Sequence, residues 1–149
     1  MRRSRILAAG ALALALVVPG VATATTPQPV TFYGTFTEGS NLGTFYGAPA
    51  PLCASGTTTD VAGLAAGFQS GTRLQLLVAK EFACAGSDDT FTLLLQVHIR
   101  FPPDEANRFT WTVLDGTGAF ANLHGRGTGS AVPTATGGVD TYVGSIHLD

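Results

Sequence analysis

Apolar and polar positions alternate with period two along most of the chain, not with the 3.6-residue period of a helix. The clearest run is Thr90–Phe101. There Phe91, Leu93, Leu95, Val97, Ile99 and Phe101 are apolar, Thr90, Thr92, Gln96, His98 and Arg100 are polar, and only Leu94 breaks the rule. Arg108–Asp115 repeats the pattern, with Phe109, Trp111 and Val113 set against Arg108, Thr110 and Thr112. Between them, Pro102-Pro103-Asp104-Glu105-Ala106-Asn107 reads as a hairpin loop, because proline cannot donate to a strand ladder. Val30, Phe32 and Phe36 mark an earlier strand, Leu74, Leu76, Val78 and Phe82 another, and Tyr142, Ile146 and Leu148 a last one. Weaker strands fit Gly43–Gly47, Thr57–Ala62 and Leu123–Ala131, while Val61–Phe68 is compatible with a short helical turn.

About eight short, one-sided strands leave a sandwich or a barrel. A barrel removes exposed sheet edges, and the first and last strong strands are patterned to pair with each other. The expected fold is therefore all-β: one small antiparallel eight-stranded barrel over residues 30–149, after a short linker at 25–29. A barrel of this size is filled by side chains or holds one small ligand.

The N-terminus departs from this pattern. Arg2, Arg3 and Arg5 precede an uncharged run from Ile6 to Val18, then Pro19-Gly20 and the small-residue site Ala22-Thr23-Ala24. That layout predicts a cleavable signal peptide over residues 1–24 and an extracellular destination. The run is too short for a bilayer span. The arginine pair alone does not separate general from twin-arginine export. Removing residues 1–24 leaves five Lys/Arg against ten Asp/Glu. An acidic chain without a basic run argues against nucleic acid and against anionic membrane surfaces as partners. No later segment is apolar enough for a membrane span. In an oxidising compartment the pair Cys53 and Cys84 is expected to form a disulfide.

The most conspicuous motif runs from Asp115 to Gly129. Gly116, Gly118 and Ala121 satisfy a dinucleotide fingerprint, but that site needs a following helix, and here more glycine follows. The simpler reading is a tight connection and then a strand packed close to its neighbour. No cofactor is expected. Several strings in this half carry a resemblance: Phe82-Ala83-Cys84-Ala85-Gly86-Ser87 with Asp89–Leu93, Trp111-Thr112-Val113, Gly116–Ala121, Leu123-His124-Gly125, Gly127-Thr128-Gly129 and Asp140–Gly144. Together they resemble the allene oxide cyclase-like barrel proteins secreted by actinobacteria, over roughly residues 80–148. The resemblance implies an eight-stranded barrel related to plant allene oxide cyclases and dirigent proteins, which steer a hydrophobic intermediate held in the barrel. The N-terminal half carries no residue across, and a shared fold does not transfer chemistry.

Ionisable residues give no catalytic constellation. His98 and His147 lie on polar strand faces and approach each other only if their strands are neighbours. His124 reads as a loop or strand-edge residue, and three such histidines do not make a metal site. No serine sits in a nucleophile elbow. Asp88-Asp89 and Asp104-Glu105 read as solvated turn carboxylates without calcium-loop spacing. Lys80 is the anomaly, in phase with Leu74, Leu76, Val78 and Phe82 and so aimed at the dry face. The cost of burying a charge favours snorkelling or a bulge over a functional lumen lysine, and no lumen partner is evident. These observations point first to a non-enzymatic secreted barrel that binds a small apolar ligand or a surface partner. A cyclase- or dirigent-like isomerase and an envelope-associated barrel with a filled lumen are the alternatives. Oligomeric state stays open; Leu77, Leu94 and Leu114 on polar faces bear on it only weakly.

Overall fold

The computed structural model describes residues 25–61, 66–71, 73–100 and 106–149. The signal-peptide reading at 1–24 and the loop tip at 102–105 lie outside the described residues. Among the described residues nine strands follow in order: β1 (Gln28–Thr37), β2 (Leu42–Tyr46), β3 (Ser55–Asp60), β4 (Ala66–Ser70), β5 (Arg73–Cys84), β6 (Thr90–Arg100), β7 (Asn107–Gly116), β8 (Leu123–Thr134) and β9 (Gly137–Leu148). All pairings are antiparallel, in the order β3-β2-β1-β9-β8-β7-β6-β5-β4, and a further β3–β5 pairing closes the sheet.

Nine segments make an eight-position barrel because β3 and β4 share one edge of β5. β3 pairs with Lys80–Cys84 and β4 with Arg73–Leu77. The eighth staff is therefore one broken strand, and residues 66–68, compatible in sequence with a helical turn, are extended. The first and last strands do pair, from Gln28↔Ile146 to Thr37↔Gly137. β1 begins at Gln28, inside the stretch read as a linker, and the Thr25 hydroxyl donates to the Leu148 carbonyl at 2.7 Å. Among the described residues no helix is long and apolar enough to cross a membrane.

Alternation decides which side chains fill the barrel. Phe32, Phe82, Phe91, Trp111 and Tyr142 are all essentially inaccessible to solvent. Phe32 stacks on Tyr142 at 4.6 Å and Phe82 on Phe91 at 4.8 Å, with Phe45 meeting Phe82 edge-on at 5.3 Å. Such offset and edge contacts suit the aromatic quadrupole. Room for Trp111 comes from glycine: a Cβ on Gly127 would lie 2.6 Å from its ring, and one on Gly144 2.5 Å. The Gly125-x-Gly127-x-Gly129 string is thus a close-packed strand. The segment before it holds only a three-residue 3₁₀ turn, Gly118–Phe120, with Gly118 at φ 55°. No helix N-terminus exists there for a pyrophosphate.

One irregularity explains a stray leucine. Thr92 pairs with Asp115 but Leu93 with Val113, so Leu114 is the extra residue of a β-bulge and points outward, 52 % exposed. The disulfide Cys53–Cys84 joins the β2–β3 connection to the end of β5, with the sulfurs 2.04 Å apart.

Candidate functional site

Lys80 lies on β5 between Val78 and Phe82, with no bulge to turn it. Strict alternation therefore carries it into the lumen, where it is 8 % exposed. It is the chain's single lysine. No register shift supplies the bulge that would turn Lys80 outward, and its partners are two aspartates that the alternation pattern does not reveal. Asp60, the last residue of β3, stands directly across from Lys80 and places Oδ1 3.1 Å from Nζ. Asp140 on β9 places Oδ2 3.8 Å from Nζ on the other side.

The two carboxylates differ in environment. Asp140 is 5 % exposed and accepts a hydrogen bond from the Tyr142 hydroxyl at 3.0 Å on Oδ2. Burial pushes its carboxyl above the ordinary carboxylate range; the Lys80 ammonium and the Tyr142 hydrogen bond pull the other way without cancelling that effect. Burial, then the charge of Asp140, likewise raises the Tyr142 phenol well above its usual value. The Asp60 side chain remains 41 % exposed, yet its Oδ1 is buried and receives no aligned hydrogen bond. Its contact with Lys80 is an ion pair without hydrogen-bond alignment. The Phe36 ring lies 5.9 Å from Nζ, close enough for a weak cation–π contribution.

Ring position gives this cluster its reach. Around the closed sheet β5 and β9 are four positions apart in either direction, so they face each other across the lumen. The Lys80 side chain reaches across to the Asp140 carboxyl. On the Lys80 side of the lumen, the inward-phase residues Leu74, Leu76, Val78, Val97 and Ile99 are half-buried, whereas the aromatic side is closed. The cluster thus floors an apolar, less completely covered half of the barrel.

The other sequence candidates fall elsewhere. His98 and His147 do not meet: His98 pairs with Arg108 and Gln75, whereas His147 stands opposite His124. His124 is a strand residue, and its ring stacks on that of His147 at 5.3 Å, on the barrel exterior. The Asp149 carboxylate lies beside both, with its oxygens 3.0 Å from Nε2 of His124 and 3.6 Å from Nε2 of His147. Among the described residues no group of three such side chains converges as a metal would require. Asp89 holds a turn together, accepting from the Ser87 hydroxyl and the Ala119 amide. A cleft of about 230 Å³ outside the barrel is lined by Thr25, Gln28, Ala50, Pro51, Ile146, His147 and Leu148, away from the lumen cluster.

No protein family and no curated protein matches the sequence. Among solved structures, the chain is similar to a pterocarpan synthase dirigent protein at 10 % identity, with 92 % of this chain and 96 % of that one covered and a TM-score of 0.34. It is also similar to the attachment invasion locus protein of Yersinia pestis at 9 % identity, with 82 % of this chain and 96 % of that one covered and a TM-score of 0.20. Both likenesses are too distant to bring any chemistry to this chain.

Proposed function

We propose that this protein is an exported barrel that takes one small, largely apolar molecule into the open half of its lumen and does not transform it. The observation that carries this reading is the contrast inside the barrel. Aromatic rings close one half, while Leu74, Leu76, Val78, Val97 and Ile99 stay half-buried in the other. Inward-phase apolar surface that the fold leaves incompletely covered is what a ligand would cover, with a few polar groups at its floor. The disulfide is compatible with an extracellular setting, and the resemblance over residues 80–148 supports a relation to ligand-holding barrels.

The test is native mass spectrometry on protein recovered from its own secretion medium, followed by titration with an apolar fluorescent dye. A co-purifying apolar species that dissociates unchanged, and saturable dye binding weakened at least tenfold by Leu76→Arg, are the expected results. No ligand and no saturable binding would sink the reading in favour of a purely structural barrel. Recovery of a converted molecule would instead move the protein to the cyclase-like class.

A further inference from the structure

The ligand reading leaves the Lys80 cluster unexplained, because a buried ammonium held between a buried and a half-exposed carboxyl group is an expensive floor for an apolar pocket. Desolvating an ion pair often costs more than its attraction returns. The geometry of the trio suggests chemistry that removes the cost. We propose that Lys80 and Asp140 condense into an intramolecular amide that ties β5 to β9 across the lumen.

Each participant has a distinct environment suited to one role. Lys80 is the nucleophile, and Asp60, with Oδ1 3.1 Å from Nζ and no aligned donor of its own, is the base. Asp140 is the electrophile. Burial favours its protonated form, and a carboxylic acid accepts an amine where a carboxylate does not. Tyr142 donates to Oδ2, the oxygen on which negative charge develops during attack, and so fills the place of an oxyanion donor. Asp60 is a poor alternative electrophile, because its side chain is 41 % exposed and its Oδ1 has no hydrogen-bond donor to stabilise developing negative charge.

The step balances without any other reactant. Asp60 takes one proton from the Lys80 ammonium, leaving a neutral amine. Its lone pair forms a bond to Cγ of Asp140, and the C–OH bond of that carboxyl breaks. The second proton lost by the nitrogen goes to the departing hydroxyl, which leaves as water. Asp60 ends protonated and, being half-exposed, returns its proton to solvent. No atom changes oxidation state. The fold holds the reacting groups together, so the reaction gains the advantage of an intramolecular process. It also replaces a buried ammonium and a buried acid with one neutral amide. Nζ lies 3.8 Å from Oδ2 of the same carboxyl group, so the amine and the acid are already neighbours, and a side-chain adjustment is what carries Nζ to the Cγ it attacks.

A sequence fact makes the test simple: Lys80 is the only lysine. Secreted protein is reduced, denatured and weighed intact, then exposed to a lysine-specific protease and an amine-reactive label. The expected mass is lower than that of the reduced linear chain by one water. The protease fails to cut, no side-chain amine is labelled, and fragmentation of tryptic peptides joins Lys80 to Asp140. Asp140→Ala restores the full mass, the cut and the label. Asp140→Asn keeps the link but loses ammonia in place of water, a result that mere disruption of folding does not produce. Full mass with a single cut after Lys80 in the wild-type chain overturns the proposal. So does a link to Asp60, or a water lost by cyclisation at Asp115-Gly116 with Lys80 still free. None of these results depends on whether a ligand binds, so this proposal and the ligand reading fail separately.

Discussion

The two halves of the lumen are built from the same alternation and reach opposite solutions. Around Phe32, Phe82, Phe91, Trp111 and Tyr142, inward positions carry rings packed to the exclusion of water, with glycine opposite the largest of them. Around Lys80, Asp60 and Asp140, inward positions carry charge, and the neighbouring aliphatic residues stay half-buried. Tyr142 belongs to both, its ring stacked on Phe32 and its hydroxyl on Asp140. The aromatic half supplies the apolar burial that stabilises the fold, at roughly 25 cal/mol per Å² removed from water. The ionic half spends part of it, since buried charges are retained only with partners in place. The covered rings lie in one half, and both the proposed ligand site and the proposed amide fall in the other.

The largest test of this division is Trp111→Ala. The ring is 1 % exposed and its Nε1–H donates to the Thr128 carbonyl at 3.1 Å. Truncation empties a site whose walls are strand backbone and so cannot collapse. A loss of about 3–5 kcal/mol in denaturant unfolding is expected; a loss under about 1 kcal/mol would show the aromatic half to be loosely packed. A smaller test puts the same substitution into each half. A Cβ at Gly127 meets the Trp111 ring at 2.6 Å and the Val143 carbonyl oxygen at 2.1 Å, and neither can retreat. A Cβ at Gly138 meets the ring of Phe36, a half-buried side chain beside Lys80, at 2.3 Å and the Val132 carbonyl oxygen only at 3.0 Å. Gly127→Ala should cost about 1–3 kcal/mol and Gly138→Ala distinctly less. Equal costs in thermal unfolding would erase the distinction between the halves.

How far the sequence shows this division depends on the range of the interactions involved. The aromatic half is legible because period-two alternation is local and each ring is in phase with its strand. The inward course of Lys80 is legible for the same reason. Its partners are not. Asp140 shares parity with Tyr142 and Ile146, but the apolar positions that mark the last strand begin only at Tyr142, whereas the strand itself starts at Gly137. Asp60 ends a threonine strand too weakly patterned to orient its side chains. That β9 faces β5 follows from closing the ring, which no local pattern encodes. Whether His98 and His147 share neighbouring strands is undecidable from sequence on the same point, because neighbour relations among strands are non-local; their strands are not adjacent.

The subtlest effect is a pH dependence confined to the ionic half. In Lys80→Met protein no amide can form, and the ammonium that holds the Asp140 carboxyl down is gone. Burial is then opposed only by the Tyr142 hydrogen bond, so the folded-state proton affinity of Asp140 rises further above the unfolded value. Between the ordinary carboxylate range and this raised folded value, the native state binds more protons than the unfolded one. Stability is therefore full at the acidic end of that window and falls as pH rises through it. Each tenfold difference in proton affinity is worth about 1.4 kcal/mol. Chemical unfolding across that window should show the Lys80→Met protein weakening with rising pH. Lys80→Met/Asp140→Asn, which has nothing to ionise at position 140, should lack that component. Matching slopes in the two proteins would mean that Asp140 reaches water in the folded state, and the ionic half would then be an open channel rather than a buried floor.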